Sequence, residues 1–167
     1  MKFTFCPDCG SKLELRQLGD EVDVPWCVNC NKPWFPVFPA AIIALVYNEN
    51  NDILLLQQNY ISPIFKNLVS GYIMPGERAE ETMIREIKEE TGLDVEEYQL
   101  RGTWWFEKKE MMMIGFMAKV KNTELNLSAE VDGASWHTPE EAIKLVHKKP
   151  GSTSRILTQI FIDEHKT

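Results

Sequence analysis

GYIMPGERAEETMIREIKEETGL (71–93) is the stretch on which the reading of this chain turns. Its second half places Glu86, Glu89 and Glu90 three and four residues apart. On a helix of about 3.6 residues per turn these carboxylates share one face, and like charges at that spacing destabilise a helix unless something offsets them. Met83, Ile84 and Ile87 project to a different side. A helix is therefore expected over about 79–91, with Gly92 as its C-terminal stop. Pro75 and Gly76 mark a turn ahead of it. Gly71 and Gly76 allow the backbone to bend tightly and approach a ligand. Three carboxylates on a rigid element offer hard oxygen ligands of the kind Mg2+ or Mn2+ prefers. Such a cation would offset the repulsion and leave positions open for phosphate oxygens. Arg85 is placed to pair with Glu77 and hold the loop against the helix.

Outward from this stretch the pattern is that of an α/β protein. AAIIALVYN (40–48) and DILLLQQ (52–58) are apolar runs joined by a hairpin turn around Asn48, Glu49, Asn50 and Asn51. Strands are expected near 100–106, 111–120 and 133–137. Thr138 and Pro139 open a helix as N-cap and first residue, and a last helix follows Pro150-Gly151 over about 153–164. Strands interleaved with helices, one pair of them a hairpin, imply a mixed sheet rather than a purely parallel one. The proline-rich KPWFPVFPA (32–40) reads as an extended linker, dividing residues 1–36 from 37–167.

The chain has 167 residues, 44% apolar and 26% charged, enough for one ordinary core and a small appendage. Lys plus Arg is 18 and Asp plus Glu 25, so the net charge is 18 − 25 = −7. That balance disfavours phosphate-driven nucleic-acid binding but not a nucleotide held through a cation. No apolar run is long enough to span a membrane. The start, MKFTFCPDCG, lacks the apolar centre of a signal peptide, so the cytoplasm is the expected compartment.

Cys6, Cys9, Cys27 and Cys30 form CPDC and CVNC with seventeen residues between Cys9 and Cys27. This paired spacing falls in the range for a four-thiolate zinc site. A chain without an export signal disfavours the alternative of two disulfides. Residues 1–36 are too few to bury a core alone, so Zn2+ would supply folding energy there. With four protein ligands the zinc is structural and has no open position for a catalytic water.

Residues 71–93 follow G-x5-E-x7-R-E-x2-E-E-x-G-L. This pattern resembles the signature box of the Nudix hydrolases at every defined position. The resemblance implies an α/β/α sandwich on a mixed sheet, and hydrolysis of a nucleoside diphosphate linked to another group. It makes Glu86, Glu89 and Glu90 the principal ligands of the catalytic Mg2+ or Mn2+, with Glu77 and the Gly71 carbonyl in support. A four-cysteine ribbon directly ahead of the box resembles the arrangement of the NADH pyrophosphatases, some of which remove NAD caps from RNA. By that likeness Glu130 is a further metal ligand, Tyr72 stacks on the base, and Ser154 lies near the substrate. It also suggests a homodimer. Trp105, within TWWFEKKEM (103–111), is a second candidate for base stacking. That same stretch departs from the subgroup, which carries S-Q-P-W-P-F-P-x-S there. The prolines are missing and Met111 stands at the final serine, so the marker for NADH is absent.

The expected function is divalent-metal-dependent hydrolysis of the pyrophosphate bond in NADH or NAD, ADP-ribose, FAD or a similar dinucleotide, releasing a nucleoside monophosphate. Two other readings are removal of an NAD cap from RNA and a non-catalytic nucleotide-sensing or RNA-binding module. His137, His147 and His165 show no ligand spacing.

Overall fold

The computed structural model describes residues 3–121 and 124–165. They fall into two compact units, Met1–Phe38 and Pro39–Thr167.

The first unit is a three-stranded antiparallel sheet in the order β1 (Glu14–Leu18), β2 (Glu21–Cys27), β3 (Lys32–Pro33). Its buried apolar residues, among those described, are Cys6, Val24, Pro25 and Cys27. So few buried side chains cannot offset the entropy of ordering the segment. The two C-x2-C turns flank β1 and β2, and this brings all four cysteines to one place.

The second unit is built on a mixed sheet. Its strands are β4 (Ala40–Tyr47), β5 (Ile53–Gln57), β6 (Val69–Tyr72), β7 (Val95–Phe106), β8 (Met111–Val120) and β9 (Gly133–His137). The order is β7-β8-β4-β5-β9, with β6 also paired to β4. β4 and β8 run parallel from Ala40↔Met112 to Tyr47↔Lys119, and every other pairing is antiparallel. The helices are α1 (Ala79–Thr91), α2 (Pro139–Leu145) and α3 (Thr153–Glu164). Among the described residues no helix is long and apolar enough to cross a membrane.

Because β4 and β5 are covered on both sides, they read as unbroken apolar runs rather than alternating ones. Ile42, Ala44 and Val46 join Leu54, Leu56 and Phe116 beneath Met83 and Ile87 of α1. Ala41, Ile43 and Leu45 join Ile53, Leu55 and Met113 beneath Leu157 and Phe161 of α3. Phe116 and Phe161 are fully buried on opposite faces, each contributing roughly 1.5–3 kcal/mol by burial. The result is the expected α/β/α sandwich.

The β4–β5 hairpin closes as expected. Asn48 Oδ1 accepts the backbone N–H groups of Asn50 and Asp52 at 2.9 and 3.0 Å. Helix α1 ends at Gly92, whose φ of 76° is the left-handed conformation glycine adopts freely. One expectation fell short. β7 starts at Val95 rather than near residue 100, and its register shifts between Leu100 and Gly102. It is an edge strand, and its first half exposes Glu96, Glu97 and Gln99. No apolar alternation announces it.

Candidate active site

Strand β6 delivers the chain to the turn before α1, and the turn is closed by Glu77. The Glu77 N–H donates to Met74 O at 3.0 Å, and its carboxylate Oε2 accepts the Met74 N–H at 3.1 Å and Thr82 Oγ1 at 2.8 Å. Arg85 completes the lock with a two-pronged pair: Nε to Glu77 Oε1 at 2.8 Å and Nη2 to Oε2 at 3.0 Å. Such parallel charge-assisted bonds fix orientation as well as adding energy. Arg85 first, then Thr82 and the Met74 amide, hold the Glu77 carboxyl down at about 2.

The same guanidinium serves the helix. Arg85 Nη1 donates to Glu86 Oε1 at 2.7 Å and to Glu89 Oε2 at 3.0 Å. It thereby offsets two of the three carboxylates on this face of α1. Glu86 also lies tight against β6. A Cβ added to Gly71 would sit 2.5 Å from Glu86 Cγ and nearer still to its Cδ and Oε1. Only glycine leaves that space. Burial pushes the Glu86 carboxyl up, with Arg85 opposing and the charges of Glu89 and Glu130 adding.

Glu90 is held differently. It is 4% exposed, and Gln58, 1% exposed, donates from Nε2 to its Oε1 at 2.8 Å. Its Oε2 is buried and has no hydrogen-bond partner among the described residues. Burial pushes the carboxyl up to about 7; Gln58 and, more weakly, the Ser70 backbone oppose this, and Glu86 and Glu130 reinforce it. Glu130 itself sits on an exposed turn, and its charge acts on both Glu86 and Glu90. Arg85 thus joins Glu77, Glu86 and Glu89 along α1, Gly71 lies against Glu86, and Glu90 and Glu130 act on this group through their charges.

These residues fit a hard divalent cation. The donors are carboxylate oxygens of adjacent turns, one of them buried and unpartnered among the described residues, and burial, with mutual repulsion adding, raises two of the carboxyl groups. A buried polar atom without a partner is costly, and a cation would satisfy it. The thiols fit zinc as well. All four are free, and their sulfurs lie within 4.8 Å of one another. Cys6 and Cys30 are 3.8 Å apart and Cys9 and Cys27 3.6 Å, whereas zinc–sulfur bonds of about 2.3 Å imply a tetrahedral edge of about 3.8 Å. Ser11 draws the Cys9 thiol down to about 5, while Cys9 first, then burial, drives Cys30 up to about 12. Four thiolates this close need a cation between them.

The substrate-side candidates divide. Across β6, β4, β8 and β7 the registers align Tyr72, Ala41, Met113 and Trp104 in one row. Trp104 packs with the cluster beneath α3, so this row faces α3. Neighbouring residues on a strand point to opposite faces, so Trp105, half exposed and opposite Met112, is on the α1 side. Tyr72 and Trp105 therefore cannot flank the same ring. Leu157 lies over Gly115, and Phe161 lies against Tyr47. Helix α3 thus runs along β4, with Ser154 toward the end of the sheet that carries Tyr72. Ser154 Oγ is 2.9 Å from Ser152 Oγ.

The sequence pattern missed Gln58. Its one legible sign is parity: it continues the alternation of Leu54 and Leu56, whose side chains face α1. An adjoining cleft of about 370 Å3 is lined by Asn59, Tyr60, Ala129, Glu130 and Asp132. Of its lining residues only Glu130 was marked in the sequence.

Comparison with known proteins supplies the context. The NUDIX domain family matches residues 37–158. Nudix hydrolase 19, chloroplastic, from Arabidopsis thaliana is 34% identical over 149 residues, covering 84% of this chain and 33% of that protein. The NAD-capped RNA hydrolase NudC of Haemophilus influenzae is 28% identical over 172 residues, covering 97% of this chain and 62% of that protein. The chain thus spans from a third to just over three fifths of the length of these relatives. A crystal structure of a NUDIX hydrolase from Nitrosomonas europaea superimposes with a TM-score of 0.71 at 18% identity, covering 98% of this chain and 93% of the other.

Proposed function

Since this chain belongs to the Nudix family of hydrolases, we propose that it opens the pyrophosphate bond of a dinucleotide with the help of a divalent cation and releases a nucleoside monophosphate. NAD or NADH, ADP-ribose and FAD are the substrate class. The observation that supports this reading is a ridge of carboxylates on α1, with Glu86 and Glu89 drawn together by Arg85 and a buried Glu90 oxygen left unpartnered among the described residues.

In this reading Glu86, Glu89 and Glu90 hold Mg2+ or Mn2+, with Glu130 and the Gly71 carbonyl as further ligands. When bound, such an ion acidifies the attacking water and neutralises charge on the phosphoryl oxygens. Glu77 and Arg85 keep the loop and helix in register, so the carboxylates are fixed before substrate arrives. Tyr72 and Ser154 serve the nucleotide on the α3 face, and Trp105 offers a separate aromatic surface on the α1 face. Residues 1–36 form a zinc ribbon on Cys6, Cys9, Cys27 and Cys30, and residues 37–167 form the hydrolase domain. The chain acts in the cytoplasm, as a homodimer.

Removal of an NAD cap from RNA is the second reading. It is favoured by the 28% identity, over nearly the whole chain, to a protein named for that activity. The net charge of −7 opposes it, since nothing in that balance draws an RNA backbone.

A panel of NADH, NAD, ADP-ribose, FAD and NAD-capped RNA, incubated with Mg2+ and followed by mass spectrometry, tests both. NMN plus AMP identifies the nicotinamide dinucleotides, and ribose phosphate plus AMP identifies ADP-ribose. Glu89→Gln should lose turnover with an unchanged fold. Full activity in that variant, or no hydrolysis of any member by the parent chain, refutes the assignment.

A further inference from the structure

Gln58 is buried where burial is hard to justify for an amide. It follows Ile53, Leu54, Leu55 and Leu56, all inaccessible, and is itself 1% exposed. Its parity with Leu54 and Leu56 aims it at α1. There its Nε2 donates to Glu90 Oε1 at 2.8 Å, across 32 residues of sequence. The same nitrogen lies 3.5 Å from Tyr60 Oη, and the Gln58 Oε1 has no partner among the described residues. An apolar side chain at this place would fill the core without leaving an unsatisfied oxygen, so packing alone does not account for the amide.

The division of labour among the acidic residues points to its purpose. Arg85 pairs with Glu77, Glu86 and Glu89. Glu90 receives a neutral donor instead. A cation in that position would form a buried ion pair and compete with any metal for the carboxylate. A hydrogen-bonding amide fixes the carboxylate plane and takes one oxygen, but leaves the negative charge and the other oxygen, Oε2, unclaimed. We propose that Gln58 is a positioning residue that clasps Glu90 through Oε1 and presents Oε2 to the divalent cation, setting the cation affinity of the site. This rests on the reading of the box as a divalent-cation site. Groups that orient metal ligands in this way typically change metal affinity by about 10- to 100-fold when removed.

The test is Mn2+ binding by the full chain, measured by electron paramagnetic resonance in the absence of substrate, together with thermal unfolding. Gln58→Met keeps the length and apolar volume and removes the donor; it should weaken Mn2+ binding by at least about 10-fold. Gln58→Lys puts the competing cation in place and should weaken it further. Gln58→Leu is the substitute for either variant if one fails to fold, with the Met loss expected. Activity should recover in Gln58→Met as the metal concentration is raised, with KM for the dinucleotide at saturating metal unchanged. Parent-like Mn2+ affinity in Gln58→Met, whatever its melting temperature, overturns the proposal. So does a fall in melting temperature that accounts for all lost activity without a change in metal dependence. A parent chain that binds Mn2+, shows the loss in Gln58→Met, yet cleaves no dinucleotide supports the clasp and refutes only the functional reading on which substrates it takes.

Discussion

Replacing Gly71 by alanine isolates the geometry of the site from its stability. The added methyl would lie 2.5 Å from Glu86 Cγ and closer to its carboxyl. An ordinary carbon contact needs about 3.5 Å, so the Glu86 side chain must retreat by about 1 Å or more. What blocks the methyl is the end of a flexible side chain rather than backbone, so the fold can yield by swinging Glu86 out. The cost to folding should fall at the low end of overpacking, about 1 kcal/mol. The carboxylate, however, leaves Arg85 Nη1 and the neighbourhood of Glu89 and Glu90. A displacement of about 1 Å in a reacting geometry costs roughly 100-fold in rate, or about 2.7 kcal/mol on the barrier. The expected result for Gly71→Ala is therefore a drop in kcat/KM of about two orders of magnitude with a melting temperature lowered by only a few degrees. Steady-state hydrolysis at saturating Mg2+, with calorimetry on the same preparation, reads both. A variant with parent-like kcat/KM would show that the placement of Glu86 against β6 does not matter to the reaction.

Glu77 titrates at about 2 against an ordinary 4.5, so the stability it contributes is complete above pH 4.5 and is lost as pH falls toward 2. Glu77→Gln should flatten that part of the melting temperature–pH curve, and an unchanged acid limb would contradict the Arg85 lock. A strong zinc chelator should expose four titratable thiols and remove the structure of the N-terminal unit, read by thiol titration and by hydrogen exchange of β1–β3; protected β1–β3 amides after chelation would count against zinc as its staple. Tyr72→Ala and Trp105→Ala act from opposite faces, so their effects on KM for a dinucleotide should multiply in the double variant. A double variant no worse than the poorer single one would mean that both touch one group.

Local features were legible in the sequence and distant ones were not. Helix α1, its glycine stop and the acidic ridge lie within a single stretch of chain, and their spacing is their structure. The β4–β5 hairpin was equally plain, because buried strands and an asparagine-rich turn advertise themselves. The beginning of β7 was hidden because an edge strand with exposed Glu96, Glu97 and Gln99 leaves no apolar signature. The separation of Tyr72 from Trp105 depends on three strand registers, through β4 and β8, that no local pattern encodes. Gln58 is the sharpest case. Its partner is 32 residues away, and a glutamine at the end of an apolar run looks like a strand reaching water until the helix is laid over it.

Arg85 has one further consequence. By standing among Glu77, Glu86 and Glu89 it acts as a resident counterion, offsetting part of the charge that would otherwise prise the helix apart. The acidic ridge of α1 therefore carries part of its own counter-charge inside the chain, before any ion is considered. The cysteine half has no such internal substitute. Of the two clusters of like ligands, the carboxylates come with a hydrogen-bonded basic partner and the thiols, among the described residues, do not.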